Sequence, residues 1–224
     1  MLVLAPLRDT EGKRDVTGAF LPEARALADR HGGTLRQIEN TVPFTARRAL
    51  SLREINRYVQ ERGALDAFAM CCHGWPQGVQ LGFRIEDAGL LARALAQKRS
   101  LRTEPFAVGL LCCDTARDAD ADRADDLADG PGGIGGFADT LCEAIGNLGF
   151  HARVTAHATL GHTTSNPHVR VFDSADRTPG GVWIVPPRSP RWVRWTRALR
   201  DTDLRLRVPF MQQGAIEREL DAIA

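Results

Sequence analysis

Two residue types that can carry out acyl chemistry together stand at matching places in this chain: His73, followed by Gly74, and the pair Cys112-Cys113, followed by Asp114. Each closes an apolar run, Ala67-Phe-Ala-Met-Cys-Cys72 in one case and Phe106-Ala-Val-Gly-Leu-Leu-Cys-Cys113 in the other. A thiolate is a strong nucleophile, and a neighbouring imidazole can take the thiol proton and pass it to a leaving amine. Gly74 lacks a Cβ and so lets a substrate carbonyl approach the main chain, which suits its N–H and that of Cys113 to an oxyanion hole. Taken singly, Cys71, Cys72 and Cys112 inside apolar runs, and Cys142 within a helical stretch, read as core, since free cysteine packs as a small hydrophobe. Zinc is disfavoured: adjacent residues of a strand point to opposite faces, whereas ligand pairs usually have about two to four residues between them.

For His73 and Cys113 to meet, the two runs must be neighbouring parallel strands, and the rest of the chain reads that way. A short, continuous apolar run bounded by turn formers fits a strand buried on both faces. Strands are expected at Leu2–Leu7, Thr34–Glu39, Ala67–Cys72, Phe106–Cys113, His151–Ala158 and Gly180–Val185. Helices are expected at Ala19–His31, Leu50–Arg62, Glu86–Gln97, Phe137–Leu148 and Pro190–Arg200. The alternation predicts an α/β fold, with a mostly parallel sheet sandwiched by helices, and one domain over residues 1–224 without repeat or linker. In such sheets polar chemistry gathers at the carboxyl ends of the strands. Both His73 and Cys113 are placed there.

A hydrophobic block ending in His-Gly, with a second ending in cysteine forty residues later, resembles the cysteine peptidases of the caspase-haemoglobinase fold. That group spans caspases, metacaspases, legumain, clostripain, gingipains, separase and the CHAT-type proteases. Asp114-Thr115 after the cysteine is similar to the CHAT and legumain branches, which favours Cys113 over Cys112, and Gly135-Gly136-Phe137-Ala138 is similar to a CHAT-type helix start. The resemblance covers about residues 2–185 and leaves the C-terminal helical segment unassigned. It implies a caspase-haemoglobinase-like three-layer domain and a cysteine endopeptidase without cofactor. Cys113 and His73 would form the dyad, with a thioacyl-enzyme intermediate and an oxyanion hole from the Gly74 and Cys113 amides. The nucleophile segment is not the Gln-Ala-Cys-x-Gly of caspases, so their aspartate preference does not carry over. In the group this chain resembles, the substrate side chain would lie between Arg8–Gly18, Asp114–Gly136 and Thr159–Asn166. Arg8, Asp15 and Asp114 are the candidate substrate-binding residues; both charge signs are present, and a basic or small preference and an acidic one stay open. The alternative function is an inactive caspase-like scaffold acting as a protein-interaction module.

Composition bounds the partners. Twenty-nine basic and 28 acidic residues leave a net charge of +1, which predicts neither a polyanionic partner nor nucleic acid. The arginines at 191, 194, 197 and 200 read as a basic helix face. The opening apolar residues are too few for a leader, and no stretch approaches the roughly 18 apolar residues of a membrane span. Five cysteines, four of them in adjacent pairs, do not form the spaced framework of a secreted domain, which points to a reducing, cytoplasmic setting. With 224 residues, 43% of them hydrophobic, the chain can bury a sizeable core. The segment from Asp114 to Gly130 carries seven aspartates. It reads first as a solvated loop; the resemblance implies two functional alternatives, calcium activation and internal cleavage at Arg117 or Arg123, although the spacing is not that of an EF-hand loop. His157, His162 and His168 read as mainly surface residues. A protein or peptide substrate is the expected partner, and no oligomeric state is predicted.

Overall fold

A computed structural model describes residues 1–8, 10–11, 14–15, 18, 20–100, 105–119, 133, 135–159 and 169–176. From the N-terminus come β1 (Leu2–Pro6), the two-residue strands β2 (Thr10–Glu11) and β3 (Arg14–Asp15), α1 (Phe20–Arg30), β4 (Thr34–Ile38) and α2 (Phe44–Arg62). Then follow β5 (Ala67–Cys71), the short strands β6 (Gly74–Trp75), β7 (Gly78–Val79) and β8 (Phe83–Arg84), and α3 (Ala88–Leu95). Strand β9 (Phe106–Leu111), α4 (Phe137–Gly146), β10 (Ala152–His157) and β11 (Val169–Asp173) complete the described elements.

Six strands form one sheet in the order β11-β10-β9-β5-β1-β4. The pairings of β4, β1, β5, β9 and β10 are parallel, and β11 runs antiparallel to β10 at the edge. The expected α/β class and mostly parallel sheet are therefore present. Residues 2–5 of β1 and all of β5 and β9 are buried, as their continuous apolar runs require.

The pleat sorts the side chains onto two faces. Leu2, Leu4, Phe68, Met70, Val108, Leu110 and Val154 join Ile55 and Val59 of α2, Leu91 and Leu95 of α3, and Leu141 and Ile145 of α4 in one core. Val3, Ala5, Ala69, Cys71, Ala107 and Leu111 face the other way, where Ala24, Leu27 and Ala28 of α1 cover them. The sheet thus lies between helical layers. The change of face follows the strand order, because the chain moves outward from β1 to β4 over α1, then returns past β1 to β5 and onward. The connections after β1 and β5 thus leave in opposite directions, which in open α/β sheets is where ligands are commonly bound.

Several boundaries differ from expectation. Helix α2 begins at Phe44 rather than Leu50, because Pro43 opens the helix and its first turns lack an apolar repeat. The turn-rich stretch after His73 is a three-stranded antiparallel sheet of β6, β7 and β8. Helix α3 is preceded by a 3-10 turn at Ile85–Asp87, whose Asp87 carboxylate accepts the Arg84 N–H and pairs with Arg48 of α2. Strand β11 was not expected; its Val-Arg-Val-Phe run has a charged residue in the middle and pairs antiparallel, against the pattern of the other strands. The strand expected at 180–185, the helix expected at 190–200, His162, His168 and Arg123 lie outside the described residues. Among the described residues no helix is long and apolar enough to cross a membrane.

Candidate active site at the carboxyl edge of the sheet

Strands β5 and β9 are parallel neighbours in the middle of the sheet, with Ala67 opposite Ala107 and Cys71 opposite Leu111. The ladder ends there, two residues before His73 and Cys113. Alternation decides the faces up to the strand ends: Cys72 and Cys112 belong with Met70 and Leu110, whereas Cys71 and Leu111 lie on the α1 side. The contacts agree with the parity, since the Cys72 and Cys112 sulfurs are 3.5 Å apart and fully buried. His73 instead meets Phe20, the first residue of α1, with ring centroids 4.6 Å apart and planes at 82°.

The thiols are therefore unequal. Burial pushes the Cys71 and Cys112 thiols well above their ordinary range, the neighbouring Cys72 adding to the effect, and such thiols are inert. Cys113 is half-buried. Gly74 joins the two strand ends: a Cβ there would lie 2.7 Å from the Cys113 carbonyl oxygen, 2.8 Å from Cys112 Cβ and 2.8 Å from Thr115 Cγ2. Only glycine permits this approach. The β6–β7 ladder is closed by the Gln80 N–H donating to the His73 carbonyl, so Gly74, opposite Val79, is at a position where the ladder does not use its own N–H.

After Cys113 the chain turns sharply. Asp114 adopts the left-handed region at φ +56°, which aspartate tolerates better than most residues. Its N–H donates to the Thr159 carbonyl, and the Ala116 N–H to the His157 carbonyl, so the end of β10 holds the turn. The first turn of α4 reaches the loops that follow both strands: the Phe137 N–H donates to the Pro76 carbonyl and the Ala138 N–H to the Thr115 carbonyl. Gln77 Nε2 donates to the Ala119 carbonyl at 3.1 Å. On the far side, Arg170 of β11 donates to the Ala116 carbonyl at 2.8 Å.

The candidate substrate-binding residues are distributed around this edge. Arg8 is exposed just beyond β1, its N–H donating to Asn40 Oδ1 at 3.0 Å and its carbonyl accepting from Asn40 Nδ2 at 2.7 Å. Asp15 is in β3, opposite Thr10. Asp114 is next to Cys113 but buried, with Arg117 Nη1 3.8 Å from its carboxylate; burial raises its pKa and the Arg117 charge opposes that shift. It serves the turn more than an open pocket. Arg117 has its carbonyl packed against Gly136, where a Cβ would collide with it. His157 is fully buried on β10, not at the surface as expected. Phe20 and Arg170 escaped the sequence reading, because both touch the site from elements distant in the chain. The described residues contain no group of three or more His, Cys, Asp or Glu arranged to hold a metal ion.

Compared with protein-family models, curated protein sequences and solved structures, the chain finds no match.

Proposed function

We propose that the protein is a cysteine endopeptidase with a caspase-haemoglobinase-like fold, acting on protein or peptide substrates in a reducing, cytoplasmic setting. One observation carries the reading: the parallel central strands β5 and β9 end level, with Cys71 opposite Leu111, two residues before His73 and Cys113 at the carboxyl edge, while the sister thiols Cys72 and Cys112 meet in the core. Cys113 passes its proton to His73 and its sulfur attacks the scissile carbonyl carbon. The carbonyl oxygen takes the negative charge, stabilised by the Gly74 and Cys113 amides. Collapse of this intermediate expels the amine, which takes the proton from His73 and leaves a thioester on Cys113. Water, deprotonated by His73, then attacks the thioester; the carboxylic acid departs and the thiol is restored. None of these steps needs a cofactor.

Support also comes from the inertness that burial imposes on Cys71 and Cys112. Hydrolysis of a positional-scanning fluorogenic peptide library, with and without calcium, tests the reading. Turnover by the wild type that disappears in Cys113→Ala is expected, and the library reports the residue preferred before the cut. Iodoacetamide should label wild-type Cys113 at least tenfold faster than in His73→Ala. Equal rates, with no turnover of any peptide, would overturn the peptidase and leave an inactive scaffold.

A further inference from the structure

Arg170 is 5% exposed, on an edge strand whose Val169 and Phe172 join the core and whose Asp173 is buried as well. A buried cation carries a desolvation cost, and burial brings the Arg170 pKa down to about 10, with Asp118 opposing the shift. Its surroundings indicate what it does there. Arg170 Nη1 donates to the Ala116 carbonyl at 2.8 Å, across 54 residues of chain. The Ala116 N–H donates to His157, so both amide groups of the third residue after Cys113 are held. Asp118, itself 6% exposed, supplies the nearby negative charge. Gly133, at φ +85°, approaches from the other end of the acidic connection: a Cβ on it would stand 3.1 Å from Arg170 Nη1 and 2.8 Å from Phe172 Cζ. One guanidinium therefore gathers the segment that leaves the nucleophile and the segment that returns to α4.

We propose that Arg170 is a positioning residue for Cys113, clamping the turn after the nucleophile so that the thiol and the Cys113 amide keep their places. The inference rests on the peptidase reading. It separates from a structural role by the activity of the folded fraction. Removing one member of a buried charge cluster leaves the other uncompensated and lowers stability, so Arg170→Met, with Asp118 still buried beside it, is expected to melt below wild type under either role. Assayed below its midpoint and per folded molecule, the variant should lose at least tenfold in kcat, with KM within about twofold, and at least tenfold in the rate of Cys113 alkylation by iodoacetamide. A purely structural arginine would lower the midpoint and leave both rates per folded molecule unchanged, and that result overturns the proposal.

Should Arg170→Met not fold, Arg170→Lys decides. Lysine keeps the charge but has no planar fork to serve the Ala116 carbonyl and the Asp118 side together. A folded Arg170→Lys labelled tenfold more slowly supports the clamp, and wild-type labelling overturns it. The wild type and His73→Ala are run beside these variants. If those two label equally, the dyad reading has failed; if they differ and the Arg170 variants match the wild type, only the clamp has failed.

Discussion

At the residue scale, the doubled cysteine is resolved by the pleat. Cys112 fills core against Cys72, so Cys112→Ala should cost about 1 kcal/mol in chemical denaturation while peptide turnover stays within threefold of wild type. Cys113→Ala should show the opposite pattern, full stability and no turnover. Asp114 gives a pH-dependent outcome. Its folded pKa is raised by burial, so the folded state holds the proton more tightly than the unfolded state and stability falls as pH rises through that window. Asparagine has no charge to bury and also tolerates the left-handed backbone. Asp114→Asn should therefore melt above wild type at pH 7 in calorimetry, the gap closing as pH drops into the carboxylate range. Asp114→Ala keeps the strained φ without a tolerant side chain and should lose about 1–2 kcal/mol relative to Asp114→Asn. At Gly74, three atoms would lie closer than 3.0 Å to a Cβ. Gly74→Ala should lower stability by roughly 1–3 kcal/mol and slow Cys113 alkylation as the strand ends part.

Elements explain why part of this was legible beforehand. The runs ending at Cys72 and Cys113 are uninterrupted apolar stretches flanked by turn formers, which reads as buried strands, and the alternation with helices along the chain makes them parallel, with a histidine and a thiol beyond their ends. The small sheet of β6, β7 and β8 was read as turns because two-residue strands carry no period; tertiary packing makes them. Strand β11 is not legible because Arg170 interrupts its apolar pattern, and that arginine donates to the Ala116 carbonyl in the turn after Cys113. Phe20 was legible as the start of a helix, but its contact with His73 depends on where α1 packs. Helix α4 offers a test at this scale. Its first amides hold Pro76 on the histidine side and Thr115 on the cysteine side, and Gly136 lets it dock against the Arg117 carbonyl. Gly136→Ala should push α4 off this seat, costing about 1–3 kcal/mol and reducing alkylation and turnover together. A variant with intact turnover would show that α4 does not organise the two loops.

Over the whole molecule, His73 and Cys113 follow the two central strands of six, with β5, β1 and β4 on one side and β9, β10 and β11 on the other. Central strands have neighbours on both edges and side chains packed on both faces, so their amides open only in near-global unfolding. Hydrogen exchange should be slowest at Phe68–Cys71 and Val108–Leu111 and faster on β4 and β11. Uniform protection across all six strands would instead mean that the sheet opens as a unit. The central seam also has a consequence in time. The three strands on the histidine side come from the first 71 residues and the three on the cysteine side from residues 106–173. A chain emerging from the ribosome displays His73 long before Cys113 has been made, and Cys113 arrives on a half-sheet that must still dock. For the peptidase proposed above, the two reacting groups are thus separated in time as well as in sequence, and no proteolysis by the nascent chain is expected until residues 106–173 have been made and joined to the first half-sheet.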